Sequence, residues 1–420
     1  MRMRLTGLWL HSDFLKLWTG QTISQFGSQV TILALPLAAA LTLHASVAEI
    51  GLLSAMSTLP FLLFGLIAGV WVDRMSRRPI LIAADLGRAV LLFLVPALAL
   101  CHVLNVAALV VIAFLVGIFT VFFEVAYQSF LPSLVGSAHL IDGNAKLEIT
   151  RSAAQVAGPG VAGVLVQLIT APLAIVVDAL SFVVSVLFLT WIRTPEPLPT
   201  PRDPKEIDIW REIGEGMHFM RNAPLLKAIT AGMGTINLFG SIIFTVLVLY
   251  ATRDLGIGAG LFGTIFMSGN LGFLLGALIA RITARRFGIG PSIIGAVLIL
   301  GIGGLLVPLA SGPRLVTVSM LIVAQFSRGL GGAVFNINNL SVRQAVTPTH
   351  LLGRINAIVR VIGTGALSVG ALAGGTLGSV LGLRPTLGIG AIGSLFAVAW
   401  CLWSPLRTLR GQNARMAEPV

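Results

Sequence analysis

Thr22-Ile23-Ser24-Gln25-Phe26-Gly27-Ser28 returns as Thr235-Ile236-Asn237-Leu238-Phe239-Gly240-Ser241, with five of seven positions identical at an offset of 213. Leu140, Asn144, Ala145, Gly158, Gly163 and Leu165 return as Leu352, Asn356, Ala357, Gly370, Gly375 and Leu377 at an offset of 212. Gly69, Arg74 and Arg78 return as Gly276, Arg281 and Arg285 at an offset of 207. Apolar helices resemble one another by chance, so one match means little. Three matches in chain order at nearly one offset indicate a chain built from two parallel repeats, an arrangement suited to a site between two halves.

The material of those repeats is membrane-spanning. The 420 residues are 56% hydrophobic and only 10% charged, with a mean hydropathy of +0.95, against about 25% charged in a soluble domain. A crossing helix needs about 20 apolar residues. Twelve stretches supply them: 17–42, 49–72, 80–101, 105–128, 147–169, 172–192, 225–250, 259–281, 291–310, 315–341, 354–380 and 385–406. The first run is long and continues into further spans, so it is expected to be retained as a helix and not cleaved as a leader. The predicted fold is an all-α membrane protein of twelve transmembrane helices in two six-helix repeats. It divides into 1–192, a linker 193–224, and 225–420.

Charge placement sets the orientation. The net charge is +12, but the basic residues sit in short gaps between spans, which argues for topology and against nucleic acid. With both termini placed in the cytoplasm, 24 of 28 basic residues, Arg88 among them, fall on or near the inner side. Arg253, Arg314 and Arg384 fall outside, and Arg328 lies within a span. This is the positive-inside pattern of an even number of spans. In the linker, Trp210, Ile213, Met217 and Met220 recur at helical spacing after a Pro-rich stretch. That reads as an amphipathic helix on the inner membrane surface, or alternatively as a soluble linker helix. Cys101 and Cys401 fall at opposite ends of their helices, and no Cys/His cluster has metal spacing, so neither a disulfide, a metal nor a cofactor is expected.

The loop after span 2, Gly69-Val-Trp-Val-Asp73-Arg74-Met-Ser-Arg77-Arg78, resembles the signature loop of the major facilitator superfamily, with Ser76 for the usual glycine. Gly158-Pro159-Gly160-Val161-Ala162-Gly163 in span 5 is similar to that superfamily's antiporter signature, with Ala162 replacing a glycine. Phe14 to Gly27 and Leu131 to Asn144 resemble the branch of enterobactin exporters and macrolide efflux pumps.

The resemblance implies the major facilitator fold, with spans 1, 4, 7 and 10 around a central cavity. It also implies that Asp73 faces the start of span 11 on the cytoplasmic side, in a gating network with Gly69, Arg74, Arg77 and Arg78. A carboxylate suits a helix N-terminus, and Gly69 would allow close helix approach. The superfamily often places an arginine in span 4 before a glycine near Gly117; Ala113 stands there instead.

Ionisable residues inside spans mark function by default. Glu124 is 19 residues past Asn105, which at about 1.5 Å each puts it near the inner surface. It could complete the gating network, carry a proton, or be interfacial. Asp178 could reach headgroups, pair with a polar neighbour, or carry a proton, and Asp85 is a further candidate for the proton. Arg328, about 14 residues from the outer end of span 10, should face a wet cavity or a partner. Polar stripes run along Gln21, Gln25 and Ser28, along Asn237, Ser241 and Thr245, and along Gln325, Arg328 and Asn336. They read as substrate-cavity lining, with interhelical hydrogen bonding as the alternative. Gly158, Pro159 and Gly163 fit a bend and tight interface, with Gly269, Gly272 and Gly276 as the facing groove.

The expected function is secondary transport by alternating access: proton-coupled export of amphipathic small molecules by a monomer in a bacterial-type cytoplasmic membrane. An importer or facilitator of a nutrient or lysolipid, and a non-transporting receptor or sensor, are the alternatives. The chain shows no nucleotide-binding Gly-rich signature, no zinc-protease helix and no persuasive catalytic triad, so an enzyme is not expected.

Overall fold

The computed structural model describes Leu8 and residues 11–72, 74–196, 209–348 and 351–408, with side chains at 66, 70, 137–138, 209–213 and 408 excepted. Asp73, the Pro-rich stretch beyond residue 196, and the Trp210 and Ile213 side chains therefore lie outside the described residues.

Among the described residues, twelve helices are long and apolar enough to cross a membrane. In the first half these are α1 (Ser12–Leu37), α2 (Val47–Val72), α3 (Arg77–Leu100), α4 (Val106–Gly136), α5 (His139–Ile169) and α6 (Ala171–Trp191). In the second half they are α7 (Pro224–Leu249), α8 (Ala259–Phe287), α9 (Ile289–Leu309), α10 (Arg314–Val346), α11 (Leu352–Leu381) and α12 (Leu383–Leu402). The linker forms a separate helix, Ile209–Asn222.

Local chemistry sets several helix starts. His11 Nδ1 accepts from the Phe14 N–H at 3.1 Å at the head of α1. Asn105 does the same for Ala108 at the head of α4. Ser46 and Glu49 exchange reciprocal bonds at the head of α2, a capping box. The connection expected over 129–146 is instead helical almost throughout, and only Gly136, at φ 71°, breaks it. No other residue there forces the chain out of the α region, so α4 and α5 reach 31 residues each, longer than the roughly 20 needed to cross a bilayer. Both repeats end their first helix in a π turn, Ala38–Thr42 and Tyr250–Asp254.

The chain forms two compact units: residues 1–45, 56–202 and 257–263, and residues 46–55, 203–256 and 264–420. The core of the first gathers Phe14, Leu17, Leu81, Phe123 and Phe130. The core of the second gathers Leu226, Ile229, Val297, Phe335 and Ile355. The linker helix joins the second core through buried Met220, and its Glu215 forms an ion pair with Arg354. Large apolar side chains such as Leu168, Leu278 and Val380 lie exposed, the outside that lipid and not water satisfies.

Candidate substrate and coupling site

The site in the first unit begins with a glycine. A Cβ on Gly27 would collide with Ser181 Oγ and sit 2.8 Å from Asp178 Oδ1, so only hydrogen lets α1 lie against α6 here. At this contact Ser28 Oγ donates to Asp178 Oδ1 at 3.3 Å, and Ser181 Oγ donates to the same oxygen at 3.1 Å. One level along, Gln21 Nε2 donates to Ser185 Oγ at 3.4 Å. Asp178 is 2% exposed. Of the roles its sequence position left open, reaching the headgroups is removed: the carboxyl points into the bundle.

α3 supplies the neighbouring charge. Asp85 and Arg88, one turn apart, form a buried ion pair. The Arg88 guanidinium is also sandwiched between the rings of Phe123 and Phe182, 4.2 and 4.1 Å from their centroids, a cation–π arrangement. Sequence placement counted Arg88 with the inner-side charges. The structure corrects this: it lies 11 residues into α3, about 16 Å along the axis, and is 5% exposed.

A cavity of about 430 Å³ opens beside this cluster. α1 lines it with Gln21, Gln25 and Ser28, α4 with Phe123, Glu124, Tyr127 and Gln128, and α5 with Asn144, Glu148 and Arg151; Arg88 forms part of its wall. A larger cleft of about 760 Å³ lies at the ends of α1 and α6. There Asp13 accepts from Lys16 and from the Arg193 and Thr194 N–H groups, and the smaller cavity is the one beside the buried Asp85–Arg88 pair.

The signature-loop arginines have local partners. Glu196 accepts from the Arg77 N–H at 2.7 Å and the Arg78 N–H at 3.2 Å, a carboxylate at the positive end of α3. Arg78 Nε and Nη2 donate to the Leu189 and Thr190 carbonyls at 2.9 and 2.5 Å, closing the end of α6. Arg74 is exposed. Gly69 meets no described atom within 4 Å of a Cβ position.

The antiporter-type segment packs tightly, but not against the stripe expected. A Cβ on Gly158 would collide with Gln29 Cβ, one on Gly163 would lie 2.5 Å from the Ala259 carbonyl, and one on Gly263 would collide with the Pro159 carbonyl. Gly269, Gly272 and Gly276 face Gln325, Phe326 and Leu330 of α10 instead. Gly263 and Gly272 are nine residues apart, two and a half turns, and so point to opposite sides of α8.

In the second unit the expected cavity residues split. Asn237 Nδ2 donates to the Gly363 carbonyl at 3.1 Å and Ser241 Oγ to the Leu367 carbonyl at 2.7 Å, bonds that tie α7 to α11. The Arg328 guanidinium lies beside Gly240 and Gly304, and its Nη1 is buried with no hydrogen-bond partner among the described residues. Gln325 packs on Gly269, and Asn336 is exposed.

The family model of the Major Facilitator Superfamily matches residues 17–318 and 230–419. The multidrug efflux pump Tap of Mycolicibacterium fortuitum is 26% identical over 369 residues, 86% of this chain and 88% of that one. Macrolide efflux protein A of Streptococcus pyogenes is 28% identical over 229 residues, 54% of this chain and 55% of that one. A point mutant of the nucleoside transporter NupG superposes with a TM-score of 0.75 at 14% identity, covering 93% of this chain and 99% of its own. A bacterial homologue of the iron transporter ferroportin gives 0.73 at 16%, covering 94% and 98%. These two structures share the fold alone. With twelve spans, repeated halves and a family match along nearly its whole length, the chain belongs to the Major Facilitator Superfamily of membrane transporters.

Proposed function

We propose that this chain is a proton-driven exporter of amphipathic small molecules, working by alternating access as a monomer in a bacterial-type cytoplasmic membrane with both termini inside. The carrying observation is the cavity in the first unit. Amides from Gln21, Gln25, Gln128 and Asn144 supply donors and acceptors, the rings of Phe123 and Tyr127 supply apolar faces, and Glu124 supplies an acid within a span. Pockets for small molecules combine apolar walls with a few placed polar groups in this way. An amphipathic cargo bearing a cation fits that mixture, and the named efflux relatives support the direction of export.

The test is accumulation in cells lacking their main pumps, expressing this chain and challenged with dyes, macrolides and tetracyclines. Lower accumulation that is abolished by a protonophore is expected. Glu124→Gln should weaken this most for cationic compounds and least for neutral ones. Equal accumulation with and without the chain, at confirmed membrane expression, contradicts the reading. Raised accumulation marks an importer.

A further inference from the structure

The cluster beside the cavity has an uneven charge count. Asp85 and Asp178 are 0% and 2% exposed, and Arg88 is 5% exposed. Two carboxyls therefore share one guanidinium in a bundle where unpaired charge is costly to bury. Asp85 holds Arg88 directly. Asp178 is met by hydroxyl groups, those of Ser28 and Ser181 and of Thr31, and Arg88 is close enough to act on its charge. Phe182, which faces the guanidinium, lies one turn along α6 from Asp178.

We propose that Asp178 is the proton-binding site of this transporter, with the Asp85–Arg88 pair as its fixed counter-charge; this rests on the proton-driven reading above. With Asp178 protonated the cluster is neutral. On release, the O–H bond breaks, the electron pair stays on the carboxyl oxygen, and the proton passes to water in the cavity. The new negative charge is met by the Ser28 and Ser181 hydroxyls and by Arg88. Reprotonation reverses the step. Ser28 and Arg88 belong both to the cluster and to the cavity wall, so cargo entering the cavity meets the groups that respond to the proton.

The other charged and titratable groups facing this region are Glu124 and Tyr127 on α4, and Glu148 and Arg151 on α5, paired with each other at 3.2 Å. At this level α1 brings Gln21, Ser24, Gln25 and Ser28, all neutral. Glu124 thus keeps the role of meeting cargo, and Asp178 takes that of carrying the proton.

The test uses the purified full chain in liposomes of phosphatidylethanolamine and phosphatidylglycerol, with infrared difference spectra recorded between acidic and alkaline buffer. A protonated-carboxyl band that titrates is expected. It should disappear in Asp178→Asn, shift in Asp178→Glu, and persist in Glu124→Gln. Asp178→Glu keeps a carboxyl, so its shifted band identifies the group even if Asp178→Asn folds poorly. A band unchanged in both Asp178 variants, or lost in Glu124→Gln, overturns the assignment. A titrating Asp178 band in a protein whose ethidium transport ignores a pH gradient keeps the site and overturns the coupling reading. Gradient-driven ethidium transport that survives in full in Asp178→Asn overturns the site and keeps the coupling.

Discussion

A guanidinium in the middle of a membrane helix needs a counter-charge within reach, and for Arg88 it stands one turn back at Asp85. Breaking a buried pair by removing one partner leaves an unpaired charge and costs about 3–5 kcal/mol, whereas replacing both with apolar groups is often neutral. Arg88→Leu should therefore lower the unfolding midpoint in detergent strongly, and Asp85→Leu with Arg88→Leu should recover most of the loss while abolishing proton-driven transport. A single variant as stable as the parent would mean the pair is not buried as described. The sequence carried a signal for this pair, opposite charges at i and i+3 within an apolar run, but a side-of-membrane count assigns each arginine by position and passed over it. Asp178 was visible as an ionisable residue within a span. Its direction was not, because that depends on Gly27 letting α1 close on α6.

Helix contacts in this protein depend on which side of each helix carries a small residue. Gly27→Val would drive side-chain carbon into Ser181 and Asp178, an overpacking worth about 1–3 kcal/mol. We expect lower thermal stability, a disturbed carboxyl band and reduced efflux, with partial recovery when Ser181→Gly is added. Stability and efflux at parental levels would remove the contact. Gly263→Leu should act similarly, by meeting the Pro159 carbonyl, whereas Gly295→Ala, which meets nothing within 4 Å, should be silent in the same assay. Helix existence and count were legible because apolar length and charge gaps encode them directly. The partner of a glycine stripe was not. The Gly269, Gly272 and Gly276 spacing reveals a groove in α8 but not the helix that fills it, and α10 fills it.

The two repeats are alike in backbone and unlike in chemistry. Matching π turns close α1 and α7. Gly163 packs on the start of α8, while its repeat mate Gly375 packs on the start of α2 at Gly51. At the offset of 212 that relates Thr170 and Gly382, the positive-φ caps ahead of α6 and α12, Asp178 corresponds to Gly390. The second unit thus has no side chain where the first has a carboxyl, and Arg328 stands beside Gly240, the repeat mate of Gly27. The repeat could be read from sequence because close backbone packing constrains its glycines. The division of labour could not, since it rests on single polar residues whose surroundings come from distant helices. The central claim, export driven by protons, is tested most directly in everted membrane vesicles with an acidified interior, following ethidium entry by fluorescence. Proton-driven export predicts ethidium accumulation inside, partial loss of interior acidity as it enters, and collapse of both when nigericin removes the pH gradient. Accumulation that is indifferent to nigericin, or ethidium driven out of the vesicles by the gradient, would contradict it.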